Sequence, residues 1–127
     1  MRRENLFTAE LNLEQSREGH RWRAARLGGR LGAELIGGTI YELDADQLTF
    51  PFHFHHGIEE WLYADAVTRG PGGAHELCNA DTEVARVLVL ATSFEPAVTH
   101  YPDDGTLRVT PPGKLFREAD AIASESD

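Results

Sequence analysis

Three histidines fall within four positions of the sequence, at His53, His55 and His56, and two glutamates follow at Glu59 and Glu60. Side chains two residues apart on a β-strand share a face, so His53 and His55 would point the same way, about 7 Å apart along the strand. His56 would point to the opposite face. Glu59 and Glu60 also alternate, so only one of them can join the two imidazoles.

A third imidazole is available from His75, which follows the loop Gly72-Gly73-Ala74. Three neutral imidazoles and one carboxylate suit one divalent transition metal: iron, manganese, nickel, cobalt or zinc. Four protein ligands leave one or two coordination positions open, as a catalytic metal requires. A single histidine on an apolar strand more often packs in the core, but burying this whole cluster without a cation leaves polar groups unsatisfied. We therefore predict a metal site.

Short strands must position these side chains, because no long segment has the 3.6-residue periodicity of a helix. The glycines between residues 28 and 38 fit no nucleotide-binding loop and are interpreted as structural turns, and Pro51 indicates an edge strand or a bulge. Short strands with turn signals between them predict an all-β sandwich or barrel. Strands are predicted at residues 21–26, 39–43, 48–56, 59–64, 75–79, 84–94 and 106–110.

The histidine-rich stretch resembles the first motif of the cupin superfamily. The triplet 53–55, His-Phe-His, matches the His-x-His of that motif. Glu60 fits the longer of the two gaps that the motif allows, and Glu59 fits the shorter. Glu60 runs directly into the aromatic and aliphatic segment Trp-Leu-Tyr at 61–63, as the ligand glutamate of many cupins does, which favours Glu60.

The segment 72–75, Gly-Gly-Ala-His, together with Asn79, resembles the second half of the second cupin motif. The resemblance implies a small single-domain bacterial cupin, with a jelly-roll β-barrel over residues 20–118. Residues 1–19 are then an N-terminal arm, and 119–127 an acidic C-terminal tail. The resemblance also implies one divalent metal held by His53, His55, Glu60 and His75.

The sequence departs from the cupin motifs at three positions. Gln47 stands where the first motif opens with glycine, Val67 where it closes with glycine, and Gly70 where the second motif has proline. The two motifs also overlap, so the hairpin that separates them in other cupins is expected to be missing. A barrel without that hairpin is open at one edge.

The resemblance implies two alternative functions. The first is a metalloenzyme that acts on a small molecule, with oxygenase chemistry if the metal is iron and isomerase or lyase chemistry with other metals. The second is a non-catalytic module that binds a small molecule and keeps the metal for structure. Cupins commonly pair, so a homodimer is expected. The residues themselves do not identify the substrate.

Composition and charge narrow the class of protein. The net charge is −9, which disfavours nucleic acid as a partner. Seven arginines lie in residues 1–30, and we interpret them as a solvated strand face in preference to an anion-binding patch. Cys78 is the single cysteine, so no intrachain disulfide can form. No apolar run is long enough to span a membrane, and a cytoplasmic location is expected.

Overall fold

The computed structural model describes residues 1–62, 65–67 and 70–124. Most of the regular structure in these ranges is β-strand, with a single-turn α-helix and two 3-10 turns, at Pro71–Gly73 and Glu118–Asp120. The elements in chain order are β1 (Leu13–Arg17), β2 (His20–Arg26), α1 (Leu27–Leu31), β3 (Ile36–Leu43), β4 (Phe54–His55), β5 (Glu60–Leu62), β6 (Asp65–Val67), β7 (Ala85–Thr92), β8 (Ala97–Tyr101), β9 (Thr106–Thr110) and β10 (Lys114–Arg117).

The strands form two antiparallel sheets. One has six strands in the order β1-β2-β3-β7-β5-β6, and the other has four in the order β10-β9-β8-β4. Within the described ranges, strand pairing does not close the sheets into a barrel. Residues of both sheets line one shared pocket, so the sheets turn a common inner face toward each other. The predicted all-β architecture is confirmed, as two sheets that do not close into a barrel.

A hairpin is present between the two histidine-bearing segments. β5 and β6 pair antiparallel, with Glu60 opposite Val67 and Leu62 opposite Asp65. The expected loss of the inter-motif hairpin is therefore not confirmed, although the strands are only three residues long. The last two residues of the strand predicted at 59–64 lie outside the described residues, as do residues 125–127 of the predicted tail.

The glycine-rich segment predicted as turns contains α1. This helix ends at Gly32, which has a φ of +75° in the left-handed region. Such a cap favours glycine because a Cβ atom is strained there. Leu27 of α1 is buried in the hydrophobic core.

Aromatic side chains fill the inner face of the six-stranded sheet beside the pocket. Trp22, Tyr41 and Phe50 meet edge to face, with ring centroids 5.4 to 5.7 Å apart. The indole nitrogen of Trp22 donates to the carbonyl oxygen of Thr49 at 2.7 Å, so its polar atom is satisfied. This geometry stabilises aromatic packing beyond simple area burial and fixes the floor of the pocket.

The N-terminal arm covers part of the outer face of the same sheet. Ala9 packs with Ala25, Leu27 and Ile40 in a buried cluster. Arg86 holds the arm by donating to the carbonyl oxygen of Leu6 at 2.8 Å. The arm thus contributes Ala9 to the hydrophobic core, with Leu11 packed against it. Within the described ranges, no helix is long and apolar enough to cross a membrane.

Replacing Ile40 with alanine is expected to lower the free energy of unfolding by about 2–5 kcal/mol, because the side chain is 1% exposed and its loss leaves a cavity. Ile36→Ala is a matched control on the same strand, since Ile36 is 58% exposed, and it should cost less than about 1 kcal/mol. Urea unfolding of both variants measures the difference. Equal costs would contradict the placement of the core.

Candidate metal centre

His53 and His75 are brought together by backbone pairing. The amide nitrogen of His53 donates to the carbonyl oxygen of His75 at 3.0 Å, and that of His75 donates to the carbonyl oxygen of His53 at 2.8 Å. Residues directly opposite each other in an antiparallel pair point to the same face. Their imidazole centroids are accordingly 4.6 Å apart. The two segments that carry the motifs are therefore neighbours in space.

His55 joins the cluster from β4. β4 pairs with β8, which places His55 opposite Thr99. The imidazole of His55 lies 4.9 Å from that of His53, centroid to centroid, and 6.2 Å from that of His75. His56 points to the other face, where its ring stacks near that of His100. The predicted alternation of these histidines is confirmed.

Glu60 supplies the carboxylate from the opposite sheet. It lies on β5, with one carboxylate oxygen 3.3 Å from Nε2 of His55 and the other 3.1 Å from Nε2 of His75. Glu59 is exposed, and its backbone amide donates to the hydroxyl of Thr92. Of the two glutamates that sequence spacing allowed, the structure brings Glu60 to the histidines.

Each of the three imidazoles is held through its Nδ1 atom. Nδ1 of His53 lies 2.8 Å from the carbonyl oxygen of Pro51, and Nδ1 of His75 lies 2.9 Å from that of Gly73. A carbonyl oxygen only accepts, so both Nδ1 atoms carry the proton and donate. Nδ1 of His55 contacts the hydroxyl of Thr99 at 3.1 Å. Fixing Nδ1 in this way leaves Nε2 as the nitrogen that can bind a metal.

The protonation of the cluster follows from burial and mutual contact. Burial, together with the neighbouring imidazoles of His55 and His75, lowers the pKa of His53 to about 4. His53 is therefore neutral at pH 7, with a free lone pair. Contact with Glu60 raises the pKa of His75, against the opposing effect of burial. A cation bound here would take the place of a proton on Nε2 of His75.

Burial of the Glu60 carboxyl would by itself raise its pKa, but contacts with His55 and His75 outweigh burial and lower the pKa to about 2. Glu60 is thus a carboxylate throughout the physiological range. A buried anion requires a compensating positive charge or several donors. The histidines provide this compensation in the structure, and a divalent cation would provide it more fully.

These residues fit a divalent transition metal. One ligand atom each from His53, Glu60 and His75 lies within 4.8 Å of the others. Nε2 of His55 is buried and accepts or donates no hydrogen bond among the described residues, although a carboxylate oxygen of Glu60 lies 3.3 Å away. A buried nitrogen without a partner is costly unless something binds it. His55 is not part of that group, but its Nε2 adjoins it through Glu60. Imidazole nitrogens beside a carboxylate are a donor set suited to iron, manganese, cobalt, nickel or zinc.

The four residues open into a pocket of about 280 Å³ between the sheets. Most of its lining consists of residues that were not predicted as metal ligands. The polar ones are Arg26, Tyr41, Thr49, Thr99, Tyr101, Arg108 and Thr110, and the apolar ones are Phe50, Leu62, Leu77 and Val89. They are spread over distant segments and carry no local spacing signal. Period-two alternation of each strand predicts the face that they occupy, but not which strands meet.

Asn79 matches the second cupin motif but does not face the metal cluster. Its side-chain amide donates to the carbonyl oxygens of Leu43, at 3.0 Å, and Glu83, at 2.8 Å. Its side-chain oxygen accepts from the amide of Asp81. Asn79 is buried and joins the end of β3 to the loop before β7. Its match to the motif therefore reflects a structural role.

The paired antiparallel sheets and the histidine–glutamate cluster in their common pocket define a cupin fold with a candidate metal centre. A cupin-superfamily sugar phosphate isomerase from Silicibacter pomeroyi superposes with a TM-score of 0.79 and 16% identity, over 96% of each chain. A candidate sugar phosphate isomerase from Acidithiobacillus ferrooxidans superposes with a TM-score of 0.70 and 21% identity, over 85% of this chain and 83% of the other. No protein-family model and no curated protein matches the sequence.

Replacing Glu60 with glutamine is expected to weaken binding of Zn²⁺ or Mn²⁺ at least tenfold, roughly the low end of effects seen at metal sites. The change keeps the shape of the side chain but removes the charge that the three imidazoles face. Glu59→Gln is the matched control, because Glu59 is exposed and should leave the metal in place. Elemental analysis after dialysis measures the metal per chain. Equal metal content in the two variants would exclude Glu60 as a ligand.

Tyr41 should lose its phenolic proton only at a pH above that of an ordinary tyrosine. Burial raises its pKa from 10.0 to about 12; nearby Arg26 opposes the rise and Glu60 adds to it. Because the raised pKa belongs to the folded state, stability is highest below pH 10 and is lost as pH rises toward 12. Ultraviolet titration should show the same number of tyrosinates at pH of about 10.5 in the wild type and in Tyr41→Phe, while circular dichroism shows both folded. An extra tyrosinate in the wild type would contradict this burial.

Proposed function

We propose that this protein is a metal-dependent cupin enzyme that isomerises a small polyhydroxylated molecule of the sugar class. The observation that carries the proposal is the convergence of His53, His55, His75 and Glu60 at one wall of an open pocket. The two structural relatives described as sugar phosphate isomerases support the reaction class. Among the expected chemistries, isomerisation is therefore preferred to oxygenation.

The metal, when bound, would polarise a carbonyl or hydroxyl oxygen of the substrate, which makes the adjacent C–H bond more acidic. His53 and His75 would hold their Nε2 atoms toward that position, because backbone carbonyls fix both rings. Ligands that are fixed before binding lose little entropy when the substrate arrives. Their orientation is set by the pairing of two backbone segments.

The remaining polar lining would bind hydroxyl groups. Tyr41 keeps its proton at neutral pH, since its pKa is about 12, and so it can donate a hydrogen bond but cannot act as a base. Thr49, Tyr101 and Thr110 place further hydroxyls around the same space. The apolar side chains of Leu62 and Val89 would limit the water that reaches the substrate. This division of polar and apolar lining is typical of small-molecule sites.

A non-catalytic binding module is the second candidate, and one observation favours it. Among the described pocket residues, the titratable groups outside the histidine–glutamate cluster are two tyrosines and two arginines. Phenol and guanidinium groups do not ordinarily act as bases near neutral pH. Proton transfer between carbon atoms would then depend on a member of the cluster itself, or on the substrate.

Turnover separates the two functions. Metal-free protein reloaded singly with Mn²⁺, Fe²⁺, Co²⁺, Ni²⁺ or Zn²⁺ should interconvert five- or six-carbon aldoses and ketoses, free or phosphorylated, as followed by proton nuclear magnetic resonance. In heavy water, isomerisation by proton transfer should place deuterium on the carbon next to the carbonyl. Chelation should abolish the reaction, and addition of the metal should restore it.

Glu60→Gln is expected to lower turnover at least about a hundredfold, since loss of a metal-site contact alone costs about ten- to a hundredfold. His56→Ala should retain turnover, because His56 is exposed on the opposite face of its strand. Saturable binding of a sugar without consumption, by protein with a full complement of metal, would support the binding module. Turnover that is indifferent to chelation would sink the proposed enzyme.

A further inference from the structure

Two arginines from opposite sheets reach the pocket that contains the histidine–glutamate cluster. Arg26 is the last residue of β2 in the six-stranded sheet, and Arg108 lies in the middle of β9 in the four-stranded sheet. Both line the pocket, and both are exposed to solvent, so they stand at its mouth. The sequence predicts that Arg26 belongs to a solvated strand face, and Arg26 is indeed exposed while it also lines the pocket.

Strand register places Arg108 close to the cluster. Arg108 is directly opposite Thr99, and Thr99 is directly opposite His55 and contacts its Nδ1. Directly opposite residues share a face, and neighbouring strands are about 4.8 Å apart. The backbone of Arg108 is thus two strands from that of His55, a separation that an arginine side chain can span.

Arg26 approaches from the other wall. One row of directly opposite residues crosses four strands of the six-stranded sheet. It runs from Arg26 on β2 through Thr39 on β3 and Val89 on β7 to Leu62 on β5. Leu62 is two residues from Glu60 on the same strand, so Arg26 lies in the inner-facing row next to that of the glutamate. The influence of Arg26 on Tyr41 is consistent with a guanidinium directed into the pocket.

Neither guanidinium is neutralised by a neighbour in the described part of the chain. Arg23 and Arg86 bind Glu42, and Arg30 lies 3.9 Å from Glu4, but Arg26 and Arg108 have no such carboxylate there. The acidic side chain in the described pocket lining is Glu60, which faces the histidines. In a protein of net charge −9, this pocket presents two positive groups at its mouth.

We propose that Arg26 and Arg108 bind an anionic group of the substrate, a phosphate or a carboxylate, and thereby orient the substrate's other end toward the histidine–glutamate cluster. The inference rests on the proposed function and specifies its substrate class. Guanidinium groups present paired donors that match the oxygens of phosphate and carboxylate. A pocket of about 280 Å³ suits a molecule of sugar-acid or sugar-phosphate size.

The test measures binding of inorganic phosphate and of acetate to the metal-loaded protein by isothermal titration calorimetry at fixed ionic strength. Arg26→Gln and Arg108→Gln should each weaken binding of the preferred anion about tenfold or more. Arg26→Lys and Arg108→Lys should recover part of the loss, because they keep the charge but not the paired donors. Tighter phosphate binding identifies a phosphorylated substrate, and tighter acetate binding identifies a carboxylated one.

Arg17→Gln is the matched control, because it changes the net charge equally on exposed β1 and lies outside the pocket. It should bind the anion as the wild type does. Three outcomes would overturn the inference. The first is wild-type anion affinity in both pocket variants, and the second is an equal loss of affinity in the Arg17→Gln control. The third is that the wild type binds neither anion. Metal content is measured on the same samples: a full complement of metal with unchanged anion binding overturns only the role of the arginines. Wild-type protein that takes up no metal overturns the proposed function instead.

Discussion

The carboxylate of Glu60 is the contact on which the rest of the site depends, because it joins the six-stranded sheet to the imidazoles of both motif-bearing segments. Glu60 lies on the six-stranded sheet, His55 on the four-stranded sheet, and His75 on the segment that pairs with His53. Its burial is unfavourable for a charge and is offset by the two imidazoles. The position of this carboxylate therefore determines the distances among the residues of the candidate centre.

Local alternation made most of this site predictable. The two-residue spacing of His53 and His55 requires a shared face, and the structure shows that face. The same rule sent His56 outward and allowed one glutamate to reach the histidines. The strands at β2, β3, β7 and β9 were also predictable, since each is a run of alternating or β-branched residues longer than four.

Features that depend on long-range pairing could not be predicted in this way. The run 48–56 has strong strand propensity, yet only Phe54–His55 is a regular strand, because Pro51 interrupts the ladder and isolated bridges replace it at Leu48 and His53. β8 and β10 were missed because their sequences carry no distinctive pattern, although β8 supplies Thr99 to His55. The second-motif segment pairs only at His75 and Cys78, so tertiary contact and not propensity holds it.

The charged residues are distributed unevenly along the pocket, so its two ends differ in charge. An acidic surface repels small anions in general, which makes binding at a locally positive mouth more selective. Arg26 and Arg108 occupy that mouth, while Glu60 and the neutral imidazole of His53 lie at the inner end. A substrate with a negative group at one end and a polarisable oxygen at the other would satisfy both ends together. Because the two arginines come from different sheets, as do His55 and Glu60, such a ligand would bridge the open sandwich and stabilise the approach of its halves.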